Sequence, residues 1–304
     1  MNTAAIKLLK VHKHYGKIHA LRGIDLEVRQ GEIFGFLGPN GAGKTTTIRC
    51  MLDLIRPDQG TIEIFGINPQ EKPEAVKAKV GYLPGNLQLD GSFTPRDYLK
   101  YLRKLRNDKR PLKEINTIAE RMDLSLDKKI KTLSQGNKQK VGLLQAFVGN
   151  VPLLLLDEPT LGLDPLMQQE VLNLVREQVG KGMTVFFSSH ILSEVQKIAD
   201  RVGIIRKGQL VEIAHTEDLI SRSITRATVQ FYEAVAETSF DQLKNVSVLR
   251  VNDHGKSFTL EVKGEMDHFI KTLARFSVKD LSIHRPSLEE VFLKYYQAED
   301  GGGE

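Results

Sequence analysis

Apolar and polar residues alternate imperfectly from Ile6 to Val28, with an interruption at Tyr15-Gly16, which predicts two strands joined by a turn. Glu32 to Leu37 is a compact, largely apolar run that ends in a glycine-rich loop. Beyond the loop the period changes: Ile48, Met51, Leu52 and Ile55 stand at i, i+3, i+4 and i+7, the spacing of a helix with one buried face. A second helix opens at Thr94, a capping hydroxyl, with Pro95 at its first position and Tyr98, Tyr101, Leu102 and Leu105 as its apolar stripe. The runs Leu153 to Leu156 and Thr184 to Phe187 read as strands buried on both faces, and Asp164-Pro165 and Ser188-Ser189 open the helices that follow them. Strands alternating with helices predict an α/β fold built on a parallel sheet.

A short polar stretch around Arg222 to Arg226 marks the boundary between a large domain, residues 1–222, and a small one, residues 225–297. In the small domain Val246, Val248 and Val251 precede a turn at Asn252 to Gly255, and Phe258, Leu260 and Val262 alternate after it, as in a hairpin. Met266, Phe269, Ile270 and Leu273 mark a helix, and a last strand ends near Ile283. Ser287 with Glu290 forms a capping box before Leu288, Val291, Phe292 and Tyr295, so the small domain is α+β. Residues 298–304 are acidic and glycine-rich and read as a flexible tail.

The composition, 40% hydrophobic and 27% charged, is that of a globular protein and excludes a disordered chain or a coiled coil. No apolar run approaches the roughly 20 residues needed to cross a bilayer. Met1 to Lys10 lacks the pattern of a secretory signal, and the single cysteine, Cys50, can form no internal disulfide, in keeping with a reducing cytoplasm. The net charge of +5 is concentrated between Arg96 and Lys140, where fourteen Lys or Arg face six Asp or Glu. Such a segment is either a solvated helical surface or a surface for nucleic acid, acidic headgroups or an acidic partner.

The loop after the Glu32 to Leu37 strand carries the sharpest signal. Gly38, Pro39, Asn40, Gly41, Ala42, Gly43, Lys44 and Thr45, with Thr46 behind them, match the phosphate-binding pattern G-x-x-x-x-G-K-[ST] in its strand-to-helix setting. Glycines let the backbone turn its N–H groups inward around a polyphosphate, and the following helix adds the positive end of its dipole. Lys44 is placed to reach the β- and γ-phosphates and the Thr45 hydroxyl to ligate Mg²⁺. Farther along, the strand ending at Leu156 delivers Asp157 and Glu158 at its C-terminal end, where one carboxylate can hold Mg²⁺ through water and the other can polarise an attacking water.

These residues resemble the ATP-binding cassette (ABC) ATPases. Asp157-Glu158-Pro159-Thr160 and Leu161-Gly162-Leu163-Asp164 are similar to the family's second nucleotide motif and D-loop, and Leu133-Ser134-Gln135-Gly136-Asn137 to its signature sequence. His190 occupies the switch-histidine position and Tyr15 that of the adenine-stacking aromatic, so the resemblance covers about residues 6–220. It implies a P-loop NTPase core with N-terminal antiparallel strands and a helical subdomain at about residues 90–145. It further implies that Glu158 is the general base or water-orienting carboxylate, that His190 senses the γ-phosphate, and that Ser134 and Gly136 touch ATP bound to the opposite subunit of a head-to-tail dimer. One departure stands out: Gly85 occupies the place of the family's usual loop glutamine, leaving Asn86 and Gln88 as candidates for its metal role.

Residues from about 225 to 297, most clearly Pro286-Ser287-Leu288-Glu289-Glu290-Val291-Phe292, resemble the small C-terminal domain of ABC-2 type exporter ATPases. The resemblance implies a homodimer or a heterodimer with a second ABC ATPase. It implies cytoplasmic placement against the inner face of the cell membrane, ATP and Mg²⁺ as ligands, and polytopic permease subunits as partners. The basic segment keeps a second reading open, a non-transport ABC ATPase acting on nucleic acid or ribosomes. The chain has neither the long coiled-coil insertion nor the second cassette of those relatives, so no nucleic-acid partner is expected. A third reading, a regulatory nucleotide-binding module that hardly turns over, has Gly85 as its only support, and Glu158 and His190 oppose it.

Overall fold

The computed structural model describes residues 4–108, 112–149, 151–221, 225–243, 245–263 and 266–284. The chain divides into two compact units, Met1–His215 and Thr216–Glu304. The helix expected from Ser287 and the tail from residue 298 lie outside the described residues.

The first unit runs β1 (Ala4–Tyr15), β2 (Ile18–Arg29), β3 (Ile33–Leu37), α1 (Lys44–Met51), β4 (Gln59–Ile64), α2 (Pro73–Ala78) and β5 (Val80–Leu83). It continues with α3 (Pro95–Leu105), α4 (Leu112–Arg121), α5 (Gln135–Phe147), β6 (Leu153–Asp157), α6 (Pro165–Gly180), β7 (Thr184–Ser189), α7 (Leu192–Ile198), β8 (Arg201–Arg206) and β9 (Gln209–His215). Six strands form one sheet in the order β5-β6-β7-β3-β8-β9, parallel except for β9. An antiparallel sheet, β2-β1-β4, supplies the second layer. One apolar cluster fills the space between them: Ile6, Leu8 and Val28 of the antiparallel sheet share it with Ile48 and Met51 of α1 and with Phe34, Phe36 and Phe186 of the parallel sheet. Every position of β3, β6 and β7 is buried, which is why their sequences are runs of apolar residues, closed by Asp157 in β6 and by Ser188 and Ser189 in β7, instead of alternating. Their C-terminal ends align, with Leu37 opposite Ser189 and Asp157 opposite Ser188.

Three local expectations need correction. The helix after the glycine loop ends at Met51, because Leu52 caps it and Asp53 takes a positive φ of 50°; Ile55 lies beyond it but still packs on the core. Ser188 and Ser189 do not open a helix. Both are buried residues of β7, held there by hydrogen bonds to Asp157 and Glu194, and α7 begins only at Leu192. In α3, capped by Thr94 as expected, Pro95 and Leu99 are the buried residues, whereas Tyr101 and Leu105 of the expected stripe are 52% and 64% exposed. Tyr98 is oriented by its hydroxyl, which donates to Gln145 Oε1 of α5 at 2.6 Å.

The second unit comprises α8 (Thr216–Ser221), β10 (Thr225–Phe231), β11 (Val246–Asn252), β12 (Ser257–Val262), α9 (Asp267–Leu273) and β13 (Val278–His284). Its sheet is antiparallel in the order β11-β12-β10-β13. Alternate residues of the two central strands, Ala227, Val229 and Phe231 with Phe258, Leu260 and Val262, point to one face and meet Phe269 and Leu273 of α9. The expected hairpin, helix and last strand are all present. No helix among the described residues is long and apolar enough to cross a membrane.

Gly81 fixes how closely α5 approaches β5, since a Cβ there would lie 2.0 Å from the Ala146 carbonyl oxygen. Gly81→Ala should therefore destabilise the protein by about 1–3 kcal/mol, as forced overpacking does. Gly180→Ala, with nothing within 4 Å of the new methyl, is the control. Urea denaturation followed by circular dichroism checks both, and equal midpoints would refute the tight β5–α5 packing.

Candidate active site

The phosphate-loop residues occupy the C-terminal edge of the parallel sheet. A Cβ at Gly38 would lie 2.4 Å from Ile205 O, and Gly43, at φ 113°, passes so near β2 that a Cβ would lie 2.9 Å from Ala20 O. Only glycine fits either place. α1 starts with no side-chain cap and no acidic residue in its first turn, so its free N–H groups present the positive end of the helix dipole to the loop. Lys44, 5% exposed, folds back over the loop and donates to Gly38 O at 2.7 Å and Pro39 O at 3.2 Å. Ala42 is buried behind the loop, where its carbonyl accepts from Gly208 N.

Asp157 is wholly buried, and a carboxylate taken out of water needs donors. Thr45 Oγ1 donates to its Oδ2 at 2.7 Å, and Ser188 Oγ donates to its Oδ1. The next residue, Glu158, turns the chain with a positive φ of 52° and aims its carboxylate at two cations or potential cations. Lys44 Nζ lies 3.2 Å from Glu158 Oε1, and His190 Nδ1 lies 2.8 Å from Oε2. The Glu158 backbone is clamped: its N–H donates to Ser188 O at 3.1 Å, and Gln139 Nε2 of α5 donates to its carbonyl at 3.0 Å. A cleft of about 540 Å³ opens over this group, walled by Pro39, Asn40, Gly41, Thr46, Glu158 and the N-terminal hairpin, among others.

Residues 21–161 match the family model described as ABC transporter. The chain is 31% identical to the daunorubicin resistance ATP-binding protein of Streptomyces coeruleorubidus, over 96% of each chain. It is 32% identical to the bacitracin transport ATP-binding protein of Bacillus licheniformis, over 98% of each. The chain belongs to the ABC transporter ATP-binding proteins. Among solved structures, an ATP-binding subunit of an ABC transporter superposes with a TM-score of 0.65 at 28% identity, covering 71% of this chain and 92% of that one. A dimeric bacterial ABC transporter cassette shares the fold, with a TM-score of 0.62 at 23% identity over 69% and 98% of the two chains. The protein is thus an ATP-hydrolysing subunit of the ABC transporter family, as its motifs implied.

In this ABC subunit the expected site residues fall into two groups. Lys44, Thr45, Asp157, Glu158 and His190 converge as described. Ser134 and Gly136 stand apart from the cleft walls: Ser134 is exposed and caps α5, accepting from Asn137 N at 3.3 Å, and Gly136 rests against Gly162 O of the D-loop. Tyr15 is 44% exposed, lies 5.8 Å beneath the Lys13 ammonium and is not a cleft wall; Ile18, His19, Ala20 and Arg22 of the same hairpin are.

Several residues that no motif flagged complete the site. Arg22, Arg49 and Lys207 join Lys44 around the cleft against the single carboxylate of Glu158, a field that favours an anion. Desolvation, followed by His14, Arg22 and His12, holds the His19 pKa below its usual value. Gly85 and Asn86 both reach the cleft, whereas Gln88 does not line it, and a Cβ at Gly85 would lie 2.8 Å from Asp157 Oδ2. Burial raises the pKa of the Glu194 carboxyl, against the two hydroxyls that donate to it.

Ser188→Ala removes one of the two donors to a buried carboxylate. It should lower stability by about 1–3 kcal/mol, the cost of leaving such an acceptor unsatisfied. Equilibrium unfolding in urea reads this directly, and an unchanged midpoint would show that Asp157 does not depend on Ser188.

Proposed function

We propose that ATP binds over the Gly38–Thr46 loop and is hydrolysed at Glu158, within a dimer in which Ser134 and Gly136 of each subunit close over the nucleotide of the other. The observation that carries this reading is the position of the Glu158 carboxylate between Lys44 and His190, 3.2 Å and 2.8 Å away, at the mouth of an anion-favouring cleft. A carboxylate so held can accept a proton from, or orient, a water beside a terminal phosphate. His190 holds Glu158 in that orientation and can donate to a γ-phosphate oxygen. Lys44, which donates to two backbone carbonyls of its own loop and pairs with Glu158 Oε1, can turn to the β- and γ-phosphates and so release that carboxylate oxygen.

Mg²⁺ fits the donor set at the same place. Thr45 offers a hydroxyl and Asp157 a carboxylate, hard oxygen ligands of the kind Mg²⁺ prefers when phosphate oxygens and water complete its shell. Among the described residues no group of three or more His, Cys, Asp or Glu is placed to hold a metal ion by itself, which supports a cation that arrives with the nucleotide. When bound, it would neutralise charge on the phosphates; the protein's share is to hold Thr45 and Asp157 in place.

The partner reading rests on the exposed Ser134 and on the single phosphate loop, which make one chain half of a complete site. Both a homodimer and a pair with a related ATPase satisfy that requirement. Relatives named for daunorubicin resistance, bacitracin transport and Nod factor export support outward transport as the work that hydrolysis drives. Polytopic permease subunits then carry the cargo, with this chain on the inner face of the membrane. The domain limits that go with this reading are 1–222 for the ATPase and 225–297 for the small domain.

Glu158→Gln keeps the side-chain shape but removes the base. ATP hydrolysis should fall by about 10²- to 10⁴-fold, the usual contribution of a general base, while ATP binding persists and a dimer accumulates on size exclusion. Turnover at the wild-type rate would remove Glu158 from the chemistry, and a monomer in saturating ATP would remove the shared site.

A further inference from the structure

The two segments that carry Glu158 and His190 are joined, below the reacting groups, by one buried carboxyl that no motif includes. Glu194 lies in the first turn of α7 and is 4% exposed. Thr160 Oγ1, two residues beyond Glu158, donates to Glu194 Oε1 at 2.6 Å. Ser189 Oγ, one residue before His190, donates to Glu194 Oε2 at 2.9 Å. Thr160 and Ser189 are themselves buried, so neither hydroxyl has water as an alternative partner. Ser189 Oγ in turn accepts from Ile191 N at 2.9 Å, which fixes the turn on the far side of His190. The chain therefore brackets the Glu158–His190 pair with a second, buried contact between the same two segments.

From this arrangement we infer that Glu194 is a positioning residue for ATP hydrolysis, which sets the spacing of Glu158 and His190 through Thr160 and Ser189. The inference rests on the assignment of Glu158 and His190 to the reaction. Its physical content is that both terminal atoms of one side chain are needed, one tied to Thr160 and one to Ser189. Shortening the side chain by one carbon breaks at least one tie, and removing it leaves the buried Thr160 hydroxyl without its acceptor and the Ser189 hydroxyl with only the Ile191 carbonyl, 3.5 Å away. Glutamine can restore both bonds, because its carbonyl accepts from Thr160 and its amide donates to Ser189 Oγ, which has a second lone pair. Neither Thr160 nor Ser189 lines the cleft, so the effect belongs to the hydrolytic step and not to nucleotide capture.

The test uses the full chain, with steady-state ATP hydrolysis and fluorescent-nucleotide binding measured on Glu194→Ala, Glu194→Asp, Glu194→Gln and Thr160→Val, beside Glu158→Gln. For Glu194→Ala and Glu194→Asp we expect kcat to fall about 10- to 100-fold, the effect of a displacement of about 1 Å. KM and nucleotide affinity should stay within about threefold, and Glu194→Gln should recover kcat to within about threefold of wild type. Thr160→Val should lower kcat in the same way and add little when combined with Glu194→Ala, since both cut one connection. Wild-type kcat in Glu194→Ala, or equal losses of kcat and nucleotide affinity in the Ala and Gln variants, would overturn the inference. Should Glu194→Ala fail to fold, the comparison of Glu194→Asp with Glu194→Gln and the Thr160→Val rate decide it on the same terms. Undiminished turnover of Glu158→Gln would instead overturn the assignment on which the inference stands, whatever the Glu194 variants do.

Discussion

The architecture of the large unit is organised around a single desolvated charge, the carboxylate of Asp157. It ends the interior strand β6 with no exposure to water, so its two oxygens must be answered by protein donors. Those donors are Thr45, the second residue of α1, and Ser188, its register partner on β7. A group that belongs to β6 thereby fixes the height of the phosphate loop and of the neighbouring strand. The consequences propagate outward: Glu158 follows at once in a positive-φ turn, its N–H tied to Ser188, and His190 lies two residues beyond that serine. The placement of Thr45, Ser188 and Glu158 at the sheet edge can be traced to this one pairing.

The parts of this arrangement legible in the sequence are those written in local pattern. The buried strands Leu153 to Leu156 and Thr184 to Phe187, the caps at Thr94 and Asp164, and the phosphate loop all depend on residues close together in the chain. The misreadings have other causes, one long-range and one local. Ser188 and Ser189 have the composition of a helix start, but long-range hydrogen bonds to Asp157 and Glu194 keep them in the strand. Ile55 has helical spacing from Ile48, but Asp53 turns the backbone first. Gln139, Glu194 and Arg49 carry no motif at all, and their positions follow only once α1, α5, β6 and β7 are brought together.

The basic stretch from Arg96 to Lys140 illustrates how charge counted along a sequence misleads about surface. Arg96 makes two hydrogen bonds to Asp127, at 2.7 and 3.1 Å. Arg121 bridges Glu170 and Glu177 of α6, two acids from outside the segment, and these bonds lower the pKa of Glu177 while raising that of the guanidinium. Arg106 spends its guanidinium on the Val80 carbonyl, tying α3 to the central sheet at the start of β5. At two positions, Arg106 and Arg121, arginine serves as a connector between the helical segment and its surroundings, and at Arg96 it ties the segment to itself, uses of the planar, many-donor geometry that lysine lacks. The surface excess that a nucleic acid could meet is smaller than the sequence count suggests.

Gly85 extends the same logic to the motif position at which this chain departs most from its family. The loop after β5 runs so close to Asp157 that a Cβ would lie 2.8 Å from Oδ2, the oxygen that receives the Thr45 hydroxyl. A larger residue with this backbone would press on the carboxylate that organises the sheet edge. The loop therefore meets Asp157 with backbone alone, and a polar side chain from it can enter the cleft only one residue later. Asn86 lines the cleft while Gln88 does not. Where the family carries glutamine, this chain brings backbone to Asp157, and the neighbouring Asn86 is a polar residue of the loop that lines the cleft.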